Sequence, residues 1–273
     1  MKSPQHSAPP PDLRIVPTDC VHAHEENDSQ RSEPLAQRIH SEKFMINPPV
    51  VAPISASRFV ILDGANRCHA FSQLEYPHIL VQVAAYDEGT VELDTWRHVV
   101  SDWDIETFLN ELFLLPDIQL REGQTTKAIA HILIPDGRIF GVVAAVENTH
   151  EQNAALRHVV SIYQRNAKLF RTAMAEPEDI WPLYPEAIAL VVFPHYQPGD
   201  IIAAAKYQAF LPPGISRHIV HGRALRVNYP LDALRDKSAS LKEKNAALRV
   251  WMQQKLAHRA IRYYAETTYQ FDE

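Results

Sequence analysis

The amino-acid sequence predicts a mixed α/β (α+β) protein, and three observations support that prediction. Short apolar runs rich in valine and isoleucine recur through the first hundred positions, and turn residues bound each of them, as is typical of strands. Segments with apolar residues three or four positions apart lie between these runs and indicate short helices. Beyond position 100 the chain continues with longer helical segments and further strand-like runs, so we expect a second region that also mixes the two.

Strands that alternate with short helices are expected to form a small α/β unit in the first region. The predicted strands are 13–17, 49–54, 58–62 and 79–86. One helix is predicted from about 31 to 43, and a second begins just after Asp63-Gly64.

The second region is predicted to hold two helices, a hairpin and three strands before a final helix. The helices are predicted at 102–115 and 151–175, the hairpin in 128–146 around Pro135-Asp136-Gly137-Arg138, and the strands at 188–194, 201–210 and 224–229. The final helix, 231–264, has leucines at heptad spacing, but Ser238 and Asn245 occupy the alternate heptad positions and argue against a long coiled coil. We expect this helix to dock on its own protein, and a homodimer contact through it stays open.

These elements divide the chain into three parts. We expect a flexible leader at 1–11, a first domain at 12–98 and a second domain at 99–273 that ends in the helix. The boundary falls near 95–102, where the alternation of strands and short helices stops.

Composition narrows the function classes. The 27 Lys+Arg against 33 Asp+Glu give a net charge of −6, which argues against a protein that coats nucleic acid, although a local basic groove stays open. No apolar run approaches the roughly 20 residues that a membrane span needs, and the N-terminus lacks the apolar core of a signal peptide. Two cysteines, Cys20 and Cys68, make no disulfide framework, so we expect a cytoplasmic protein.

The stretch after the strand at 58–62 has the chemistry of a phosphate site. Asp63-Gly64 ends the strand, and the following helix opens with Asn66, Arg67 and His69. A helix N-terminus offers unpaired N–H groups to an anion, and a guanidinium adds a forked donor for phosphate oxygens. Asp63 would hold Mg²⁺ beside the phosphates. The alternative is a plain Asp-Gly turn that caps a helix.

A second polar stretch precedes the first helix. Glu25, Glu26 and Asp28 fall within four positions. Either Asn27, Asp28 or Ser29 caps the helix and the glutamates are solvated, or one glutamate faces a cleft as a general base. His22 and His24 suggest a metal pair, but no cysteine or further close histidine completes a zinc set, so we discount zinc.

Several motifs in order carry a resemblance to a known family. They are His24-Glu25, Arg31 with Leu35 and Ile39, Asn47-Pro-Pro-Val-Val51, Asp63-Gly-x-x-Arg67, Val91-Glu-Leu-Asp-Thr-Trp-Arg97, Gly214-Ile-Ser-Arg-His-Ile219 and Gly222-Arg-Ala-Leu-Arg-Val-Asn228. The series resembles the ParB/sulfiredoxin-like fold and, more closely, the free L-serine kinases of that fold, which include a siderophore-pathway enzyme. The resemblance covers most of 12–232.

The resemblance implies a reaction and the residues that perform it. Those enzymes phosphorylate free L-serine to O-phospho-L-serine, which implies ATP or ADP and Mg²⁺ as cofactors and a biosynthetic role such as siderophore assembly. Carried over by position, the resemblance makes Glu25 the base, with Glu26 as the alternative, and Asp63 the acidic residue at the metal and phosphates. It has the phosphates cradled by Gly64, Asn66, Arg67 and His69, and the serine pocket lined by Trp96, Ser216 and His218. The family often has His at position 66 and Thr at position 216, and both replacements keep a hydrogen-bonding group.

The same fold offers two rival functions. Sulfiredoxins need a cysteine inside the glycine turn, whereas Cys68 follows Arg67 here, so we discount that activity. ParB proteins bind CTP with a similar turn and carry a helix-turn-helix DNA module, but the chain after residue 100 is rich in hairpin and strand patterns. A ParB-like CTP- and DNA-binding regulator remains the alternative.

Overall fold

The computed structural model describes residues 10–26 and 29–263, and its architecture confirms the mixed α/β (α+β) prediction. Most of the predicted leader lies outside the described residues. The strands are β1 (Asp12–Pro17), β2 (Val21–His22), β3 (Phe44–Met45), β4 (Val50–Pro53), β5 (Phe59–Asp63), β6 (His78–Val83), β7 (Val91–Thr95), β8 (Arg97–Ser101), β9 (Ile118–Glu122), β10 (Ala130–Leu133), β11 (Ile139–Ala144), β12 (Lys168–Thr172), β13 (Ala187–Val192), β14 (Ser216–Val220) and β15 (Tyr229–Pro230). The helices are α1 (Ser29–Ser41), α2 (Ala65–Gln73), α3 (Ile105–Phe113), α4 (Thr149–Asn166), α5 (Pro177–Ile180), α6 (Pro198–Tyr207), α7 (Leu231–Arg235) and α8 (Leu241–Ala257).

The described residues form two units, and the chain passes between them more often than the sequence predicts. The first unit comprises 10–21, 29–91 and 220–263, and the second comprises 22–26 and 92–219. The predicted division into 12–98 and 99–273 therefore differs from the observed units, because the chain returns to the first unit at residue 220. Asn245 of α8 bonds the returning segment to β1, since its side-chain amide accepts from the N–H of Ile15 and donates to the Ile15 carbonyl.

The first unit is built on a five-stranded sheet of order β1-β6-β4-β5-β2. β6 pairs antiparallel with β1 and parallel with β4, and β4 pairs antiparallel with β5. Valine and isoleucine fill β5 and β6 because both strands are buried, and α2 adds Phe71 to the same core. Gln82, near the end of β6, is a buried polar residue in this sheet.

The second unit is built on a six-stranded sheet of order β12-β8-β13-β10-β11-β9, with α3 and α4 packed beside it. Asn148 caps α4 by accepting from the Glu151 N–H, and apolar residues at helical spacing, from Leu156 to Tyr163, face the core. β8 lies inside the sheet and carries a fully buried histidine, His98.

Two strand predictions in the second half of the chain are wrong. Residues 201–210 belong mainly to α6, where Pro198 starts the helix, Gln197 and Asp200 form a capping box, and an alanine run favours helix. In the predicted strand 224–229 only Tyr229 is extended in a strand, because Arg226 and Asn228 adopt positive φ, which breaks a strand.

Two helix predictions are too long. The helix predicted at 151–175 ends at Asn166, because the next residues pair with β8 as β12. The single helix predicted at 231–264 is two helices, α7 and α8. Asp236 ends the first of them in a turn, and Ser240 caps the second through a capping box with Glu243. None of the helices in the described part of the chain has both the length and the apolarity that a bilayer span requires.

Candidate functional site

The predicted phosphate turn lies in the first unit, between β5 and α2. Gly64 adopts φ 89°, a left-handed conformation that favours glycine. A Cβ at Gly64 would lie 2.8 Å from the Arg67 Nη2 and 3.1 Å from the Pro49 Cα, so the turn also lacks room for a side chain. Because α2 begins at Ala65, the turn places a helix N-terminus directly after Asp63.

Two arginines converge on Asp63. Its Oδ2 lies 3.3 Å from Nη2 of Arg67 and 2.5 Å from Nη2 of Arg223. Two guanidiniums against one carboxylate leave a local charge of +1. The Arg67 Nε and the Arg223 Nη1 are buried and have no hydrogen-bond partner among the described residues. An anion with several acceptor oxygens, such as a polyphosphate, matches these unused donors and this charge.

Arg223 is a further candidate phosphate ligand, and the sequence motifs did not indicate this role for it. Gln82 holds the backbone on both sides of Arg223. Its side-chain amide donates to the Gly222 carbonyl at 3.0 Å and accepts from the Ala224 N–H at 2.8 Å. Burial lowers the pKa of Arg223, and the negative charge of Asp63 opposes this shift without cancelling it. The Gly222-Arg223 motif was visible in the sequence, but its pairing with a carboxylate 160 positions earlier was not.

The other residues predicted for the phosphate cradle lie on α2. Asn66 and His69 are partly buried, and His69 begins the second turn of the helix rather than lying in the first. The Cys68 N–H already donates to the Gly64 carbonyl, so the amides that α2 can offer an anion are those of its first three residues. Burial raises the pKa of the Cys68 thiol to about 12, which keeps it protonated and unreactive.

The Asp63 carboxylate suits a cation held jointly with phosphates. Both guanidinium contacts fall on Oδ2, so Oδ1 is the oxygen suited to a hard cation. Among the described residues no group of three or more His, Cys, Asp or Glu side chains could hold a metal. A Mg²⁺ ion at Asp63 would thus take its remaining ligands from phosphate oxygens and water, as this ion commonly does.

The predicted base, Glu25, lies in the second unit within a dense hydrogen-bond network. Its Oε2 accepts from the Gly214 N–H at 2.7 Å, and its Oε1 accepts from the Ser216 N–H at 2.8 Å and the Ser216 hydroxyl at 2.6 Å. The backbone is also paired, since Leu211 bonds to His24 on one side of Glu25 and to Glu26 on the other. The Glu25 side chain is 17% exposed, so the carboxylate is held in place yet still reachable.

A histidine and a hydroxyl extend this network. The Ser216 Oγ lies 2.7 Å from the Nε2 of His24. When Glu25 is ionised, Ser216 gives its single hydroxyl proton to Glu25, so the hydrogen-bond pattern assigns an N–H to the His24 Nε2. The His218 ring meets the His24 ring edge-on, with 5.5 Å between centroids. Burial raises the pKa of Tyr196, and the negative charge of Glu25 raises it further. Tyr196 therefore lies close enough to Glu25 to interact with its charge.

Trp96 joins the same cluster. Its backbone N–H donates to the Ile215 carbonyl at 2.8 Å, beside Ser216, and the Arg217 guanidinium lies 5.0 Å from the centroid of the Trp96 ring. Arg217 also pairs with Asp94 at 2.8 Å. Burial opposes ionisation of Asp94, but its hydrogen bonds to Thr95 and Arg217 outweigh burial and lower its pKa.

The neighbouring Glu26 has a different environment. Its side chain is 53% exposed and pairs with Arg157 at 3.1 Å, and Arg157 also donates to the Phe210 carbonyl. Glu26 therefore has the surroundings of a surface ion pair, which favours Glu25 over Glu26 as the base.

The predicted site residues thus divide between the units. The structure groups Glu25, Trp96, Ser216 and His218 in the second unit, and Asp63, Gly64, Asn66, Arg67 and His69 in the first.

Comparisons with known proteins confirm the resemblance to free L-serine kinases. The chain is 24% identical over 229 residues to the ATP-dependent L-serine kinase SbnI of Staphylococcus aureus, spanning 82% of this chain and 84% of the relative. It is 29% identical over 83 residues, or 30% of this chain and 33% of the relative, to an ATP-dependent L-serine kinase of Staphylothermus marinus. No family model matches.

Solved structures confirm the fold. A C-terminally truncated SbnI from Staphylococcus aureus superposes with a TM-score of 0.72 at 20% identity, covering 90% of this chain and 97% of the other. A free serine kinase in complex with AMP superposes with a TM-score of 0.70 at 14% identity, covering 85% and 98%. Alanine and glutamine variants of a glutamate in a free serine kinase, also with AMP, superpose similarly.

Proposed function

We propose that this chain is an ATP-dependent kinase that transfers the γ-phosphoryl group to the hydroxyl of free L-serine and yields O-phospho-L-serine. The similarity to an L-serine kinase over 82% of the chain carries the proposal. The donor is taken as ATP because both curated relatives are named ATP-dependent, with ADP as the alternative. The product would feed a biosynthetic pathway, such as one for a siderophore or another specialised metabolite.

The first unit supplies the groups that hold the phosphates. Arg67 and Arg223 would direct their unused guanidinium donors at phosphate oxygens, and the first amides of α2 with Gly64, Asn66 and His69 would complete the cradle. Asp63 would hold Mg²⁺, which neutralises phosphate charge when bound. Because phosphoryl transfer depends on positioning and charge neutralisation, two arginines at one carboxylate favour this chemistry.

The second unit supplies the base. As the serine oxygen attacks phosphorus, its proton must leave, and Glu25 would accept it. Oε1 already accepts two hydrogen bonds, whereas Oε2 accepts one from Gly214, so Oε2 retains a lone pair for the proton. The three hydrogen bonds hold the carboxylate in one orientation before substrate arrives.

We also place the acceptor pocket in the second unit. Trp96 and His218 would line it, and Ser216 would act mainly by holding Glu25 and His24, since its hydroxyl already bonds to both. His218→Ala should raise the KM for serine strongly and leave nucleotide affinity unchanged, with Trp96→Phe as a second probe. Unchanged serine kinetics in both variants would move the pocket elsewhere.

Location and assembly are further proposals. Both cysteines are free, as suits a reducing cytoplasm. A homodimer through the C-terminal helix would use α8, which exposes Val250 and Leu256. Sedimentation of wild type against a Val250→Glu variant tests that contact, and identical monomeric profiles would exclude it.

The decisive assay is phosphoserine formation from L-serine and Mg²⁺ with ATP, ADP or CTP in parallel, read by mass spectrometry and ³¹P NMR. We expect product with ATP, and product with ADP alone would reassign the donor. Hydrolysis of CTP without phosphoserine would reject the kinase and support the ParB-like alternative. D-serine and L-threonine serve as acceptor controls.

A further inference from the structure

The loop that binds Glu25 is also held by two other side chains of the second unit, those of His98, which is fully buried, and Arg171, which is partly buried. Its N–H groups at Gly214 and Ser216 donate to Glu25, while the Gly214 carbonyl lies 3.0 Å from the Nε2 of His98. The Pro213 carbonyl accepts from the Nη2 of Arg171 at 3.3 Å. The backbone of Gly214 therefore connects Glu25 on one side with His98 on the other.

The protons in this contact can be assigned from the groups involved. A carbonyl only accepts, so the His98 Nε2 carries the proton and donates it to Gly214. The Nδ1 of the neutral ring then accepts from the Tyr163 hydroxyl at 2.7 Å. His98 and Tyr163 are both fully buried, and burial lowers the pKa of His98 to about 4. The ring is therefore neutral near pH 7, with one tautomer selected by its two partners.

Glycine at 214 makes this double contact feasible. Gly214 adopts φ 78°, and a Cβ there would overlap the Arg171 guanidinium. The left-handed turn directs the N–H towards Glu25 and the carbonyl towards His98.

We infer that His98 is a positioning residue for Glu25, acting through the Gly214 peptide, with Tyr163 fixing the orientation of its ring. The inference rests on the proposed role of Glu25 as base. His98 lies on β8, inside the six-stranded sheet, whereas Gly214 lies in the connection between α6 and β14. A hydrogen bond from a rigid strand to a connecting segment limits the movement of that segment. A displacement of about 1 Å at a reacting group can cost about 100-fold in rate.

Two amide variants separate positioning from packing. In His98→Gln the side-chain amide nitrogen reaches the place of the ring Nε2 and can donate to Gly214, whereas in His98→Asn the amide reaches only the place of Nδ1. Both replacements are neutral and polar, so they impose similar burial penalties. We expect kcat to fall by about 10- to 100-fold in His98→Asn and by less than about 5-fold in His98→Gln, with nucleotide Kd unchanged in both.

Hydrogen exchange provides a readout that does not depend on activity. The amides of Gly214 and Ser216 should lose protection in His98→Asn and keep it in His98→Gln. Val100→Ala, on the same strand and equally buried, is the matched control for loss of core packing. It should lower the melting temperature but preserve protection at 214 and 216.

The outcomes distinguish this inference from the proposed function. Equal kcat losses in the two amide variants, or equal loss of protection in Val100→Ala, would reduce His98 to a packing residue and overturn the inference. If wild type makes no phosphoserine, the proposed function fails, while the exchange comparison still decides whether His98 holds the loop. If His98→Asn does not fold, Tyr163→Phe replaces it, and unchanged kcat and protection in that variant would overturn the inference.

Discussion

The phosphate turn of the first unit and the Glu25 loop of the second both centre on a carboxylate, but they hold it by different physical means. The Asp63 side chain is 52% exposed and bonds to two charged guanidiniums. The Glu25 side chain is 17% exposed and bonds to two backbone N–H groups and a hydroxyl, all of them neutral.

The difference matches two chemical tasks. Charged partners at an exposed site attract a polyanion, and salt screens them. Neutral donors fix a carboxylate in place and lower its affinity for a proton less than a neighbouring positive charge would. Under the proposed function, the first site would bind the phosphates and the second would accept the proton.

The largest expected effect comes from Glu25→Gln. The amide cannot accept the serine proton, and its NH₂ group faces N–H donors, so turnover should fall by about 100-fold or more with nearly unchanged nucleotide affinity. Steady-state kinetics and calorimetric nucleotide titration measure the two quantities. Glu26→Gln, which removes only a surface ion pair, is the matched control and should be mild. If Glu26→Gln has the larger effect, the base is Glu26, and if neither variant matters, no general base acts here.

The two arginines should come next. Arg67→Ala and Arg223→Ala each remove one of the guanidiniums proposed to bind phosphate, so we expect nucleotide affinity to fall about 10- to 100-fold in each. Calorimetry at two salt concentrations measures the affinity and should give a smaller salt dependence in both variants. Asp63→Asn should instead weaken the Mg²⁺ dependence. Normal nucleotide affinity in both arginine variants would mean that this turn caps a helix and does not bind phosphate.

A smaller effect is expected from Gln82→Leu. It removes the amide that holds the backbone on both sides of Arg223, so nucleotide affinity should fall several-fold. It also leaves the Gly222 carbonyl and the Ala224 N–H without this partner, which should cost about 1–3 kcal/mol in the free energy of unfolding. Urea denaturation and nucleotide titration measure the two effects. Val81→Ala, at a fully buried apolar neighbour of Gln82, is the stability control and should leave nucleotide affinity unchanged. Lost stability with normal affinity in Gln82→Leu would separate Gln82 from the phosphate site.

The last prediction concerns the second unit and its stability rather than its activity. The pKa of His98 is about 4 in the folded chain against an ordinary value of 6.5, so the unfolded chain binds this proton first as the pH falls. The free energy of unfolding should therefore decrease by about 3 kcal/mol from His98 between pH 6.5 and pH 4. Urea denaturation across this range should show a shallower decrease in His98→Gln. Identical pH profiles would mean that His98 titrates normally.

Local patterns in the sequence determined much of the first unit. The strands β1, β4, β5 and β6, the helices α1 and α2, and the Asp63-Gly64 turn were all predicted within a few residues. Such elements depend on periodicity, on turn residues and on burial of neighbouring side chains, all of which can be read from consecutive positions. The roles proposed for Glu25 and Arg67 rest on short motifs as well, which carry the resemblance to free L-serine kinases.

Only the tertiary structure decided which distant residues complete the two sites. Arg223 meets Asp63 across 160 positions, and His98 meets Gly214 across 116. Their interaction depends on sheet order and on the return of the chain at residue 220, which no local pattern encodes. The wrong strand prediction at α6 has a related cause, since an apolar run fits either a strand or a helix until its caps and its packing surface select one.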